Sequence, residues 1–159
     1  MTTLVTGAAG FIGSAVVRKL LAQGRHLRCL VEPGVAPVAL RGLPVEQVAG
    51  DLTSAEDMRR AIEGVRIVYH LAAIYRLWLP DSRRMYEVNV EGSKNVLSAC
   101  MNAGVDRVIF TSSIATVGQA PPGQLADEST VFNNWSRADH YIRSKWLSEQ
   151  EAMRFAERG

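Results

Sequence analysis

The stretch Leu4-Val5-Thr6-Gly7-Ala8-Ala9-Gly10-Phe11-Ile12-Gly13 decides the fold, because an apolar run passes through three evenly spaced glycines into a helical pattern. Gly7 allows a tight turn at the end of a buried strand, Gly10 lets the backbone approach a pyrophosphate, and Gly13 lets the next helix lie close to the sheet. The N-terminus of that helix directs its free N–H groups at the anion. This order predicts a dinucleotide site, and an ordinary strand-turn-helix with glycines at its corners is the alternative.

Composition and charge limit the classes of protein to which this chain can belong. The 159 residues are 47% hydrophobic and 21% charged, as in one soluble α/β domain. The net charge of +2 is not gathered into a basic block, so we expect a small-molecule ligand and no nucleic acid. No apolar run nears the ~20 residues of a membrane span and no signal peptide is evident, so a cytoplasmic location is expected. Cys29 and Cys100 lack metal or redox spacing, which indicates reduced packing thiols.

Apolar periodicity predicts alternating strands and helices along the chain. The first helix carries Ile12, Val16 and Leu20 on its buried stripe and ends at Gly24. Further strands are predicted at 26–31, 44–49, 65–70 and 108–113. Further helices are predicted from a capping box at Thr53 and Glu56 to Gly64, from Asp81 to Gly104, and from Ser136 or Asp139 onward. This alternation implies a mainly parallel sheet with right-handed crossovers and helices on both faces.

Two carboxylates are candidates for contacts with adenosine. Glu32 follows the second strand, about 20 residues after Gly13, where an acidic side chain accepts hydrogen bonds from ribose hydroxyls. It would also repel a 2′-phosphate, which favours NAD over NADP. Asp51 follows the third strand and could accept an adenine amino proton. Glu32 as a solvated strand end and Asp51 as a loop cap are the alternatives.

Small and aromatic residues follow the fourth strand. Ala72 and Ala73 would let a cofactor pack against backbone, although close helix packing would explain them too. The aromatic segment 74–80 could line a substrate cleft or anchor the core. Asn89 falls on the apolar stripe of the next helix, where its amide needs partners. It either ties the helix to a neighbouring backbone or also holds a water in a proton path.

The last helix carries the candidate acid/base. Tyr141 and Lys145 lie one turn apart on one helix face, a pattern that is weak by itself because exposed helices often contain such pairs. A nearby ammonium favours the ionised form of a phenol and makes it a usable acid/base. Ser113, at the end of the fifth strand, could hydrogen-bond a substrate oxygen, and Ser112 is a second candidate for that role. Lys145 could also hold a nicotinamide ribose.

Together these motifs resemble the NAD-dependent epimerase/dehydratase family of the extended short-chain dehydrogenase/reductase superfamily. The motifs that carry the resemblance are Thr6-Gly7-x-x-Gly10-x-x-Gly13, Asp51-Leu52, His70-Leu71-Ala72-Ala73, Asn89-Val90-Glu91-Gly92, Thr111-Ser112-Ser113 and Tyr141-x-x-x-Lys145. Three further stretches resemble one group within this family, the hopanoid-associated sugar epimerases. They are Tyr75-Arg76-Leu77-Trp78-x-Pro80-Asp81, Ser112-Ser113-Ile114-Ala115-Thr116-Val117-Gly118 and His140-Tyr141-x-Arg143-Ser144-Lys145. These epimerases are themselves similar to dihydroflavonol reductases.

The resemblance implies a fold and a set of site residues. The fold is a three-layer, Rossmann-type, doubly wound parallel sheet, with residues 1–159 as one NAD(P)-binding domain that stops before the last strand and the substrate domain. By resemblance Ser113 polarises the substrate oxygen and Tyr141 exchanges a proton with it. Lys145 favours the ionised form of Tyr141, and Asn89 supports the relay of protons. The implied cofactor-binding set is Gly7, Gly10, Phe11, Ile12, Gly13, Glu32, Asp51, Leu52, Leu71, Ala72, Ala73, Tyr141 and Lys145.

Three functions fit this reading. The first is an NAD-dependent sugar-nucleotide epimerase or dehydratase that oxidises its substrate transiently. The second is an NADPH-dependent ketone reductase of the dihydroflavonol or cinnamoyl type, and the third is a dinucleotide sensor without chemistry. Many NAD-preferring relatives carry Asp where this chain has Val31, and reductase-like relatives often carry Arg where it has Glu32. The resemblance also implies a homodimer with a four-helix interface built from the helices that begin near Asp81 and Asp139.

Overall fold

The computed structural model describes residues 1–76 and 78–158 and contains a parallel sheet of five strands in the order β3-β2-β1-β4-β5. All four strand pairings are parallel. The chain builds one half of the sheet outward from β1, then crosses back to place β4 on the other side of β1. The carboxyl ends of β1 and β4 therefore flank the point where the winding reverses, which is where open α/β sheets bind ligands. The strands are β1 (Thr2–Thr6), β2 (His26–Val31), β3 (Glu46–Ala49), β4 (Val65–His70) and β5 (Arg107–Phe110).

Helices connect the strands. They are α1 (Phe11–Ala22), α2 (Ala55–Ile62), α3 (Arg83–Tyr86), α4 (Gly92–Ala103) and α5 (His140–Ala156). A π-helical segment, Glu87–Glu91, joins α3 to α4 without a break. Short 3₁₀ turns span Val38–Leu40 and Ile114–Thr116. Within the two described ranges, none of the helices combines the length and the apolar character needed to cross a membrane.

Alternating strand residues place a hydrophobic core on each face of the sheet. Leu4 packs into a core with residues of α2 and α4, whereas the next residue, Val5, packs into a core with residues of α1. The helix α5 lies against α4 and the π-helical segment. The result is three layers with helices on both faces, which confirms the predicted doubly wound architecture. Cys29 and Cys100 are buried free thiols in these two cores, as predicted.

Two predicted strands are shorter in the structure. The strand predicted at 44–49 begins at Glu46, because Pro44 has no N–H to donate and Val45 donates instead to the Leu43 carbonyl (2.9 Å). The strand predicted at 108–113 ends at Phe110. Beyond it the chain turns, and Ser113 starts a 3₁₀ turn by accepting a hydrogen bond from the Ala115 N–H.

Two details of the predicted helices were wrong. The capping residue of α2 is Ser54, whose hydroxyl accepts the Asp57 N–H, rather than Thr53. Thr53 instead donates its N–H and hydroxyl to Asp51, and Glu56 pairs with Arg59 across one helical turn. The buried stripe of α1 is Gly13, Val17 and Leu20, because Ile12 faces outward at the mouth of the glycine turn and Val16 is only half-buried.

Candidate active site

A cavity of about 790 Å³ opens where the carboxyl ends of the strands meet. This volume is within the usual range for small-molecule and cofactor sites. The segments that follow all five strands contribute to its wall, together with the first turns of α5. Of the residues singled out from sequence, the cavity is lined by Gly7, Gly10, Phe11, Ile12, Gly13, Glu32, Asp51, Leu52, Leu71, Ala72, Ala73, Ser112, Tyr141 and Lys145.

The glycine turn has the geometry that a pyrophosphate cradle requires. Gly7 adopts a left-handed conformation (φ 67°), and a Cβ atom there would lie 2.8 Å from the backbone of Ala72. A Cβ atom on Gly13 would lie 2.0 Å from the Gly7 carbonyl oxygen, so only glycine lets α1 begin this close to β1. Among the described residues no side chain caps the start of α1, and its first turn holds no acidic group. These features fit a dinucleotide phosphate.

A chain of buried hydrogen bonds supports the cavity floor. The Thr6 hydroxyl accepts the N–H groups of Leu71 and Ala72 (3.2 Å each) and donates to His70 Nδ1 (2.8 Å). His70 Nε2 lies 3.0 Å from the Ser93 hydroxyl, which itself donates to the Asn89 carbonyl (2.6 Å). Because the Ser93 proton is used there, Nε2 carries the ring proton and Nδ1 accepts.

His70 serves this network as a neutral imidazole. It is fully buried, and burial lowers its pKa from 6.5 to about 3, with a smaller contribution from Lys145. A second ring proton would compete with the Thr6 hydroxyl and break the chain. His70 therefore fixes the backbone of the cavity floor and does not act as an acid or base near neutrality.

Asn89 ties the π-helical segment to two neighbours. Its amide oxygen accepts the Ile74 N–H (2.7 Å), and its amide nitrogen donates to the Ile74 carbonyl (3.1 Å) and the Ser144 hydroxyl (2.9 Å). Asn89 is 1% exposed and does not line the cavity. Both amide protons are thus used by the protein, which supports the predicted tie to backbone, while the predicted role in a water relay stays a prediction. Segments of π-helix often mark functional sites.

Tyr141 enters the cavity from the first turn of α5. Asp139 caps this helix by accepting the Ile142 N–H (2.8 Å), which selects Asp139 over Ser136 as the start. The Tyr141 ring packs edge-on against Tyr75, with 4.9 Å between ring centroids. Tyr75 is 69% exposed and also lines the cavity, so it is not a buried anchor. Trp78 is likewise exposed, and Leu77 of the aromatic segment lies outside the described residues.

Lys145 lies one turn further along α5 and is 5% exposed. Its ammonium donates to the Thr111 carbonyl (2.9 Å) and lies 5.3 Å from the centroid of the Phe110 ring. Burial lowers the pKa of Lys145 from 10.5 to about 8, against a smaller upward effect of Glu149. Lys145 is therefore positively charged at neutral pH but held in a weakly solvated place beside the cavity.

The low pKa of Lys145 makes the stability of the protein depend on pH. Between pH 8 and 10.5 the unfolded chain keeps a proton that the folded chain has released, so stability rises with pH. We expect wild-type to gain up to ~3 kcal/mol over Lys145→Met across this window, measured by urea unfolding at several pH values. Lys19→Met, at an exposed position of α1, is the matched control. A pH-independent difference between wild-type and Lys145→Met would contradict this account.

The two candidate serines have different surroundings. Ser112 lines the cavity, but its hydroxyl donates to the Glu149 carboxylate, which also accepts from Thr116 (2.9 Å). Ser113 does not line the cavity; its oxygen accepts the Ala115 N–H (3.2 Å), which leaves its own proton free to be donated. The regular strand ends at Phe110, so the alternation of side chains along a strand does not indicate which of the two serines faces a ligand.

The two acidic candidates lie at one end of the cavity and share a partner. Asp51 accepts two hydrogen bonds from Thr53 (2.8 Å each) through one oxygen and one from Arg84 (3.2 Å) through the other. These bonds, with those from Thr53 largest, hold the pKa of Asp51 below its usual value. Glu32 is more exposed and lies 3.8 Å from the same guanidinium. Asp51 thus acts as a loop cap and still lines the cavity.

Sequence patterns missed several residues of this site. Thr6, Ser144 and Glu149 act through hydrogen bonds to predicted site residues or to the backbone of the cavity. Arg84 lies 33 residues from Asp51 in the chain, and the fold brings it beside Glu32 and Asp51, so its place in the site could not be read from local sequence. Thr6 and Ser144 stand within motifs that carry the family resemblance, and Glu149 lies one turn after Lys145 and two turns after Tyr141 on the same helix face, so these three carried a signal.

Known proteins are similar to this chain in sequence. The model of the 3-beta hydroxysteroid dehydrogenase/isomerase family matches residues 4–157. A Synechocystis protein provisionally named dihydroflavonol 4-reductase is 39% identical over 98% of this chain and 45% of its own length. Sterol demethylase protein B of Methylococcus capsulatus is 39% identical over 100% of this chain and 48% of its own.

A solved structure with its cofactor is also similar. UDP-glucose 4-epimerase from Thermus thermophilus, in complex with NAD, superposes with a TM-score of 0.85 at 30% identity, over 99% of this chain and 51% of that one. This chain spans about half the length of the curated relatives it matches. The family match extends over almost the whole chain, and the glycine turn, Tyr141 and Lys145 line one cavity. The chain therefore belongs to the 3-beta hydroxysteroid dehydrogenase/isomerase family, within the extended short-chain dehydrogenase/reductase superfamily whose members include epimerases and dehydratases.

Proposed function

We propose that this chain is the cofactor-binding and catalytic part of an NAD(P)-dependent enzyme that oxidises a hydroxyl-bearing carbon or reduces the corresponding ketone. One observation carries the proposal. The glycine turn, Tyr141 and Lys145 line a single cavity at the carboxyl edge of the sheet, although they come from opposite ends of the chain. An acid/base and a phosphate cradle in one crevice are what hydride transfer with a dinucleotide requires.

The cavity suits NAD along its length. The uncapped N-terminal turn of α1 would hold the pyrophosphate, and the small residues Ala72 and Ala73 would let the cofactor lie against backbone. Glu32 and Asp51 would face the adenosine end and Lys145 the nicotinamide ribose. The Thermus epimerase that superposes on this chain was solved with NAD, which supports the same cofactor here. Glu32 favours NAD over NADP because its charge opposes a 2′-phosphate.

Each residue of the proposed site has its own role in the reaction. A bound nicotinamide supplies the hydride donor or acceptor. In the reducing direction the Tyr141 hydroxyl would give its proton to the substrate oxygen and become a phenolate, and in the oxidising direction the phenolate would take that proton back. The Lys145 ammonium would stabilise the phenolate. By resemblance the Ser113 hydroxyl would donate a hydrogen bond to the same oxygen as charge develops there, although Ser113 lies outside the cavity wall in this structure; Ser112, which lines the cavity, is the second candidate. Asn89 holds α5 through Ser144 and so keeps Tyr141 in position.

The first candidate substrate is a sugar nucleotide, with the hydride returned to the substrate after a transient oxidation. The superposition on a UDP-glucose 4-epimerase supports it. The second candidate is net oxidation or reduction of a steroid-like or flavonoid-like alcohol or ketone. It is favoured by the matched family and by the names of the two curated relatives.

Two substrates, UDP-glucose and a 3β-hydroxysteroid, separate the candidates. With NAD and UDP-glucose, the first candidate predicts formation of the C4 epimer without net accumulation of reduced cofactor. With NAD and the steroid, the second predicts one reduced nicotinamide for each ketone formed, followed by nicotinamide absorbance. Turnover of neither compound by a chain that binds NAD would favour a binding module without chemistry.

A further inference from the structure

The adenosine end of the cavity contains a charged cluster formed by Arg84 and the carboxylates around it. Arg84 Nη2 lies 3.2 Å from Asp51 Oδ2 and 3.8 Å from Glu32 Oε1, and Nη1 lies 3.6 Å from Glu87 Oε2. The three carboxylates come from three separate parts of the chain, after β2, after β3 and in the π-helical segment. Both Glu32 and Asp51 line the cavity, so the guanidinium that bridges them lies immediately behind its wall.

The contacts of Arg84 are unequal. The contact with Asp51 is a hydrogen bond, and Asp51 is fixed by Thr53 on its other oxygen. The contact with Glu32 is longer, and Glu32 is the most exposed of the three acidic side chains, at 61%. Arg84 itself is 42% exposed. Glu32 is therefore the partner that a ligand can displace most easily, whereas Asp51 keeps the guanidinium at this end of the cavity.

We propose that Arg84 is a specificity-determining residue that, together with Glu32, sets the choice between NAD and NADP; this rests on the proposed dinucleotide site. With NAD, Arg84 holds the Glu32 carboxylate beside the ribose, where it accepts hydrogen bonds from the hydroxyls. A 2′-phosphate has to displace Glu32 from the same guanidinium. Planar guanidinium groups bind phosphate in a bidentate manner, so Arg84 can serve as the phosphate ligand once Glu32 is neutralised.

Surface ion pairs of this exposure contribute little to folding, which makes the cluster suitable for mutagenesis. Arg84→Gln keeps much of the length of the side chain and removes its charge. Arg83→Gln is the matched control, because Arg83 precedes Arg84 on the same helix, is 85% exposed and pairs with Asp81 instead. Unfolding midpoints of all variants check that the fold is unchanged.

The test is a calorimetric titration of five proteins with NAD and with NADP: wild-type, Glu32→Gln, Arg84→Gln, the double variant and the Arg83→Gln control. Glu32→Gln should raise NADP affinity about tenfold when Arg84 is present and less than about threefold in the Arg84→Gln background. Arg84→Gln alone should weaken NADP, and Arg83→Gln should change neither affinity. An equal NADP gain in both backgrounds would overturn the role of Arg84. Failure of wild-type to bind either nucleotide would instead overturn the proposed function.

Discussion

Replacing Tyr141 with phenylalanine abolishes turnover and leaves cofactor binding intact, if the proton is transferred at this hydroxyl. We expect the rate with a competent substrate to fall by at least ~10²-fold, the usual contribution of a positioned acid/base. The affinity for NAD should change by less than about threefold, since the ring that packs against Tyr75 is kept. Stopped-flow absorbance of the nicotinamide measures the rate, and calorimetry measures the affinity.

Tyr69→Phe is the matched control for this experiment. Tyr69 is in β4, packs against the core on the α1 side of the sheet and does not line the cavity. Its substitution should leave both the rate and the affinity near the wild-type values. A Tyr141→Phe protein that turns over at the wild-type rate would remove Tyr141 from the mechanism.

Alanine at Gly13 should destabilise the whole domain, whereas alanine at Gly10 should impair only cofactor binding. A methyl on Gly13 meets the Gly7 carbonyl oxygen at 2.0 Å and the Ala8 Cα at 3.0 Å, so α1 must move away from β1. We expect a loss of about 3 kcal/mol or more in the free energy of unfolding, and no NAD binding. Among the described residues, a methyl on Gly10 meets the Gly7 oxygen alone, at 3.2 Å, and the Gly10 φ of −75° suits any residue.

The Gly10→Ala variant should therefore fold within ~1 kcal/mol of wild-type but bind NAD at least about tenfold more weakly, because its methyl group occupies the space that the pyrophosphate approaches. Urea unfolding and calorimetry report the two quantities separately. Unchanged NAD affinity in a folded Gly10→Ala protein would contradict the assignment of this turn as the phosphate site.

Much of this architecture was predictable, because its signals are local. The strands His26–Val31 and Val65–His70 match the predicted bounds, and each begins within two residues of a glycine with positive φ, Gly24 or Gly64, that follows the preceding helix. The glycines, Tyr141 and Lys145 were found from spacing, and the parallel order of strands implied that they would meet. The matched family confirmed the resemblance that these motifs carried.

The remaining features depend on contacts between distant parts of the chain. The π-helical segment has no sequence signature, and it brings Asn89 to Ile74 and Ser144. Periodicity placed Ile12 on the buried stripe because it treats every turn of a helix alike, whereas the first turn of α1 opens onto the cavity. In the sequence, Arg84 has no feature that distinguishes it from a solvated surface arginine. The fold places the carboxylates of Glu32 and Asp51 beside it.

Several predictions from the sequence stay predictions. They include the homodimer through the helices that begin near Asp81 and Asp139, the cytoplasmic location, and the role of Asn89 in a water relay. The structure does show that β3 and β5 form the two edges of the sheet. The choice of substrate likewise rests on proposals, and the assays with UDP-glucose and a 3β-hydroxysteroid address it directly.

The most direct test of the central claim is a crystal structure of this chain grown with NAD. We expect the pyrophosphate on the backbone between Gly7 and Gly13, with the nicotinamide ribose within hydrogen-bond distance of Lys145 and the Tyr141 hydroxyl facing the nicotinamide ring. NAD bound elsewhere, or bound with its nicotinamide directed away from Tyr141, would contradict that claim.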